Sequence, residues 1–206
     1  MVDPSTLLLF AAASATLVAV PGPAVVYILT RSIAHGRSAG IVSALGIETG
    51  ALVHVAAAVA GISALVASSA TAFAVVKYAG AGYLILLGVQ RLRSNGDLTL
   101  ADLPPESKAR LFRQGVVVNA LNPKVAVFFV AFLPQFVDPG HAVAPQVALL
   151  GVLFVAVATA IDFAWALAAG SVGERLRRSL RVRLWLDRAS GATLIGLGAA
   201  AALSRR

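Results

Sequence analysis

The chain contains little charge and no cysteine. Of its 206 residues, 13% are charged, 59% are hydrophobic and only three are histidine. An average soluble domain carries about a quarter charged residues, so this composition is not that of an ordinary soluble protein. Without cysteine, disulfide bonds and thiolate metal sites are excluded. The three scattered histidines do not make a zinc site, and we expect no cofactor.

Long apolar runs are what the chain has instead. Six runs of about 20 residues follow one another, as is typical of membrane-spanning helices. We place them at about residues 7–30, 39–67, 72–90, 115–137, 145–170 and 184–203. The net charge of +8 would suggest nucleic acid as the partner of a soluble protein. In a membrane protein, however, excess Lys and Arg belong to cytoplasmic loops, so we expect a lipid bilayer and no nucleic acid.

The basic residues lie in alternate loops. The N-terminal tail and the second and fourth loops contain no Lys or Arg. The first, third and fifth loops hold Arg31, Arg37, Arg91, Arg93, Lys108, Arg110, Arg113, Arg175, Arg177, Arg178, Arg181 and Arg183. The positive-inside rule then places these three loops in the cytoplasm and both termini outside. We predict a multi-pass protein of the bacterial inner membrane with periplasmic termini.

The third loop, RSNGDLTLADLPPESKAR, divides the chain into two halves. Its Asn-Gly and Pro-Pro pairs are typical of turns and linkers. We predict a first repeat at 1–90, a cytoplasmic linker at 91–114 and a second repeat at 115–206. Three spans on each side, entering from opposite faces, is the arrangement of inverted-repeat transporters. The predicted fold is therefore an all-α integral membrane protein with six transmembrane helices in two inverted three-helix repeats.

Proline interrupts the first span of each half. Pro21, Gly22 and Pro23 lie within span one, and Asn122 and Pro123 lie within span four. A proline inside a helix removes a hydrogen bond and clashes with the preceding turn. Within lipid, protein or water must satisfy the freed backbone groups. The paired breaks predict that helices 1 and 4 are broken and line a substrate path.

Three charged residues lie at the depth of the breaks. Counting 1.5 Å per residue, Glu48, Lys124 and Asp162 are roughly 10–14 Å from the cytoplasmic ends of their spans. Charges at such depth are costly and usually mark an ion or substrate route, although an acid can also be a structural hydrogen-bonding group. We expect Lys124 to pair with Glu48 or Asp162. Asn119 and Asn122 either line a polar cavity or bond to the broken backbone.

Small residues at four-residue spacing predict close helix packing. Gly46 and Gly50 show this spacing in span two, and Ala192, Gly196 and Ala200 show it in span six. Such faces also allow a homodimer. His54 lies six residues from Glu48 and is therefore turned off that face of the helix. We expect His54 to serve in packing or as a minor proton group.

At these motifs the chain resembles the LysE/RhtB family of amino-acid exporters. The matching stretches are PGP at 21–23, HGR at 35–37, Gly46 and Gly50, KYAGAGYLILLG at 77–88, NALNPK at 119–124, LPQF at 133–136, and Asp162. This resemblance covers nearly the whole chain. It implies a transporter rather than an enzyme: an inner-membrane exporter of amino acids or close derivatives, driven by the proton-motive force through proton antiport. It also implies that the broken helices line the path.

Glu48 departs from the pattern of that family, in which exporters of neutral amino acids are expected to carry a neutral polar residue there. An extra acid favours a cationic substrate or neutralises Lys124. In the mechanism that we expect, broken-helix N-termini and Lys124 hold the substrate carboxylate. Asp162 or Glu48 holds the ammonium group, and either acid carries the exchanged proton.

Three other functions fit parts of the pattern. An exporter of a metal cation could share this architecture, but two acids are few ligands for a hard cation. A membrane enzyme would need catalytic groups clustered near one face, and the cytoplasmic loops hold mostly arginine. A purely structural membrane subunit would not need costly polar features at the centre of its spans.

Overall fold

A computed structural model describes residues 2–68, 70–93 and 106–203 of the chain. The first half contains α1 (Pro4–Ala19), α2 (Pro23–His35), α3 (Arg37–Ser68) and α4 (Ala70–Leu92). The second half contains α5 (Lys108–Ala120), α6 (Pro123–Val127), a π-helical turn (Phe128–Phe132), a 3₁₀ turn (Leu133–Phe136), α7 (Val143–Arg178) and α8 (Leu180–Leu203). The described residues form no strand, which confirms the all-α prediction.

Four of the predicted spans have the length and composition of membrane helices. Within α3 and α7, Arg37–Gly61 and Val143–Ala169 meet this test alone. The pairs Pro4–Ala19 with Pro23–His35, and Lys108–Ala120 with Pro123–Phe136, meet it together. The other two predicted spans fall on α4 and α8. The middle of the predicted linker, residues 94–105, lies outside the described residues, and the six-span inverted repeat remains a prediction.

Both predicted breaks are bends between helices. The axes of α1 and α2 differ by 55°, and those of α5 and the segment from Pro123 differ by 43°. A residue that precedes proline avoids the helical region, and Val20, Gly22 and Asn122 all have extended backbone. Pro23 and Pro123 then begin α2 and α6, where the missing N–H of proline is not needed.

Helix α3 is packed between α5 and α7, whereas α4 packs mainly against α8. Gly46 and Gly50 lie directly against the backbone of α5, which confirms the close packing predicted for span two. The prediction for span six was wrong, because a different face of the helix packs against the rest of the described chain. Gly191 and Gly198 make the close contacts of α8 with α4, while Ala192, Gly196 and Ala200 form an exposed stripe.

A cluster of phenylalanines fills the interior between the bends and the start of α1. The rings of Phe128 and Phe132 stack with centroids 5.1 Å apart, and Phe10 meets the edge of Phe136 at 5.2 Å. Phe154 of α7 closes the cluster against Phe129 at 5.0 Å. This apolar cluster lies on the side of the bends opposite to the cytoplasmic ends that the sequence predicts.

Candidate functional site

Lys124 connects the two broken helices. Its ammonium group donates to the backbone oxygen of Leu17 at 3.0 Å and to that of Val20 at 2.9 Å. These carbonyls have no N–H partner in the helix because α1 ends there. Gly22 leaves room for the lysine, since a Cβ at that position would lie 3.2 Å from Nζ. Lys124 therefore caps the end of α1 from the opposite half of the chain.

Two asparagines hold the second break in place. Asn119 donates its side-chain N–H to the backbone oxygen of Ile47 at 2.8 Å, and Asn122 donates to Oδ1 of Asn119 at 3.2 Å. Asn122 also accepts from the backbone N–H of Lys124 and so caps α6. Both amides are buried and line the smaller cavity described below, and Asn122 also satisfies a backbone N–H at the break.

The two buried acids face each other. The carboxyl groups of Glu48, on α3, and Asp162, on α7, are within hydrogen-bonding reach of one another. The side chains are only 6% and 2% exposed. One oxygen of each, Oε2 of Glu48 and Oδ1 of Asp162, has no hydrogen-bond partner among the described residues. Because an unsatisfied buried acid is costly, this pair is a candidate for function rather than for stability.

Two cavities meet at Lys124 and Asn122. The smaller one, of about 20 Å³, is bordered by Glu48, Asp162 and Asn119, and such a volume holds about one water molecule. The larger one, of about 430 Å³, lies beside the breaks, and such a volume is ample for an amino acid. It is lined by Pro21, Gly22, Pro23, Leu87, Gln90, Arg91, Asn122, Pro123, Lys124 and Leu194.

The structure thus brings together the residues that the sequence selected, but with one correction. We expected Lys124 to pair with an acid, yet no salt bridge joins it to Glu48 or Asp162 among the described ion pairs. Its ammonium group is bound by backbone oxygens instead. The end of a broken helix offers such oxygens at the same depth, and the sequence pattern does not show them.

Two features of the site were not predicted: the hydrogen bond of His54, and the place of Arg91 on the larger cavity. His54 donates through Nε2 to the backbone oxygen of Asn119 at 2.7 Å and stacks on Phe129. The side chain of His54 faces α5 and not Asp162 on α7. The sequence therefore assigned the face of the helix correctly, but it did not predict the contact with Asn119 beside the second break. Arg91 reaches the larger cavity from the last turn of α4. Its spacing from Leu87, one turn earlier, could have indicated a shared face.

The described parts of the chain contain no group of three His, Asp or Glu side chains that could hold a metal ion.

Comparison with known proteins adds independent information. The model of the family described as LysE type translocator matches residues 15–205. An uncharacterized membrane protein of Vibrio cholerae is 34% identical over 86% of this chain and 87% of its own length. The homoserine/homoserine lactone efflux protein of Salmonella typhimurium is 33% identical over 90% of both chains. The leucine efflux protein of Salmonella choleraesuis is 31% identical over 71% of this chain and 67% of its own. No solved structure matches.

Proposed function

The chain belongs to the LysE type translocators, and from that premise we propose that it exports amino acids with neutral side chains by proton antiport. Membership of a translocator family makes it a transporter and not an enzyme. Relatives named for efflux of homoserine and of leucine support the substrate class.

The observation that carries this proposal is the buried polar cluster between the two bends. It draws Glu48 and Lys124 from different halves of the chain, together with Asp162, into one place. Buried charges are usually kept where an ion or substrate moves. Each half also contributes a broken helix, so a change at the cluster is transmitted to both halves.

The larger cavity is where we place the substrate. Its walls include both proline breaks, where α2 begins at Pro23 without a side-chain cap. Unpaired N–H groups at a helix start favour the carboxylate of an amino acid. Among the described residues that line this cavity there is no acid to pair with a basic side chain. We therefore assign Glu48 to the proton and not to a cationic substrate.

The smaller cavity is where we place the proton. Two carboxyl groups in direct contact cannot both carry a charge at low cost, and they share a proton between them. Water but not an amino acid fits beside Glu48 and Asp162. The substrate ammonium group would reach this pair only when the wall formed by Lys124 and Asn122 moves. Such coupling of substrate position to proton release is what antiport requires.

The remaining predictions extend this proposal. Six spans in two inverted repeats would rock around the cluster and expose it alternately to the two faces of the membrane. The basic loops would face the cytoplasm, and both termini the periplasm, of an inner-membrane protein. The exposed stripe of small residues on α8 would serve a homodimer. The halves at 1–90 and 115–206 would be the moving units, joined by the linker at 91–114.

The test is efflux of labelled L-leucine and L-homoserine from proteoliposomes, with and without an imposed pH gradient. Asp162→Asn should reduce gradient-driven efflux by at least tenfold, because the shared proton can no longer be released. Asp3→Asn is the matched control, because Asp3 caps α1 far from the cluster and Asn caps a helix equally well. Undiminished efflux by Asp162→Asn protein that inserts normally would refute the role of the acid pair.

A further inference from the structure

Arg91 lines the larger cavity, and the proposed mechanism gives it no role. Leu87, Gln90 and Arg91 line it from the last two turns of α4, and Leu194 lines it from α8. Arg91 belongs to a basic loop, so by the predicted orientation this is the cytoplasmic end of the cavity. An exporter takes up its substrate from that side.

The charges around the cavity favour an anion. Arg91 and Lys124 both line it, so two positively charged side chains border the same cavity. The described residues that line it include no carboxylate. Lys124 already donates to two backbone oxygens. Of the two described cations that line the cavity, Arg91 therefore has more hydrogen-bonding capacity left for a ligand, since Lys124 has one N–H donor left and the guanidinium group has five donors in all.

Among the described residues, Asp187 is the ion-pair partner of Arg91. Its Nη1 lies 3.3 Å from Oδ1 of Asp187, a buried residue of α8. The guanidinium group has five N–H donors in a planar fork, and among the described residues the contact with Asp187 uses one of them. The Arg91 side chain is also 32% exposed, unlike that of Asp187 at 6%.

We propose that Arg91 is the entry site for the substrate carboxylate, which it binds before the substrate reaches the helix breaks. This inference rests on the proposed export of amino acids and adds a specificity residue to it. Asp187 positions the guanidinium group and competes weakly with the arriving carboxylate. A ligand that lacks a free carboxylate gains nothing from Arg91.

The test is direct binding to purified protein in detergent micelles, by calorimetric titration. The probes are L-leucine with L-leucinamide, and L-homoserine with its lactone, since each second compound lacks the carboxylate. Arg91→Gln should weaken binding of the acids by about tenfold or more, as expected for loss of hydrogen bonds to a charged group. Binding of the amide and the lactone should stay unchanged, and Arg91→Lys should keep part of the preference.

Asp187→Asn distinguishes a role of Arg91 in binding the substrate carboxylate from a purely structural role of its ion pair with Asp187. It removes the same ion pair but keeps the cation, so the preference for acids should persist or increase. Equal losses in Arg91→Gln and Asp187→Asn would overturn the proposal, and so would acid binding that does not depend on Arg91. A wild-type protein that binds no carboxylate would overturn it as well. If the acids bind as expected but no gradient-driven efflux occurs, the entry site stands and the proposed export fails.

Discussion

Replacing Gly50 with alanine tests whether the contact between α3 and α5 sets the geometry of the site. A Cβ at Gly50 would lie 2.5 Å from the backbone oxygen of Val116 and 3.0 Å from Cβ of Asn119. The first distance is about 1 Å shorter than an ordinary van der Waals contact. Both neighbours belong to α5, whose backbone cannot rotate away as a side chain can. The two helices must therefore separate.

The expected cost follows from what the separation breaks. Overpacking alone costs about 1–3 kcal/mol. A shift of about 1 Å would also break or weaken the bond from Asn119 to the oxygen of Ile47, now 2.8 Å; a buried hydrogen bond is worth about 1 kcal/mol. Alanine in a helix returns about 0.5–1 kcal/mol. We expect the free energy of unfolding to fall by about 1–3.5 kcal/mol.

Gly82→Ala is the matched control. Gly82 lies within α4, and a Cβ there would have nothing within 4 Å, so only the gain in helix propensity applies. Reversible unfolding of both variants by SDS in mixed micelles would measure the difference, and efflux from proteoliposomes would report the site. Equal stability of the two alanine variants would refute the argument that this contact fixes the cluster.

Two further substitutions test single contacts in the cluster. Lys124→Met keeps the length of the side chain but leaves the oxygens of Leu17 and Val20 without a donor. We expect the free energy of unfolding in micelles to fall by about 2 kcal/mol. Unchanged stability would mean that water replaces the ammonium group. His54→Phe keeps the stacking on Phe129 but removes the hydrogen bond to the oxygen of Asn119. We expect the free energy of unfolding to fall by about 1 kcal/mol. His54→Gln restores a donor, and equal stability of the Phe and Gln variants would contradict a stabilising hydrogen bond.

The breaks could be read from the sequence because proline acts locally. Val20, Gly22 and Asn122 each precede a proline, and each has the extended backbone that this position imposes. Depth was also readable, since a helix rises by a fixed amount per residue. For this reason Glu48 and Asp162, from helices far apart in the chain, were selected together.

The partners of these groups could not be read in the same way. Apolar residues lie on every side of helix α3, so the pattern does not say which residues face α5 and which face α7. The contact of His54 with Asn119 depends on that rotation. Backbone oxygens are present at every position, so the sequence does not single out Leu17 and Val20 as the partners of Lys124. Only the bend makes these oxygens available.

The bonds of Lys124 also bear on how the protein is made. The lysine is synthesised 107 residues after Leu17 and 104 after Val20. At about 5–20 residues per second, the end of α1 waits roughly 5–20 s for its cap. Asn119 likewise follows Ile47 by 72 residues. The end of α1 therefore enters the membrane with uncapped carbonyls, and it gains its partner only when the second half of the chain packs against it.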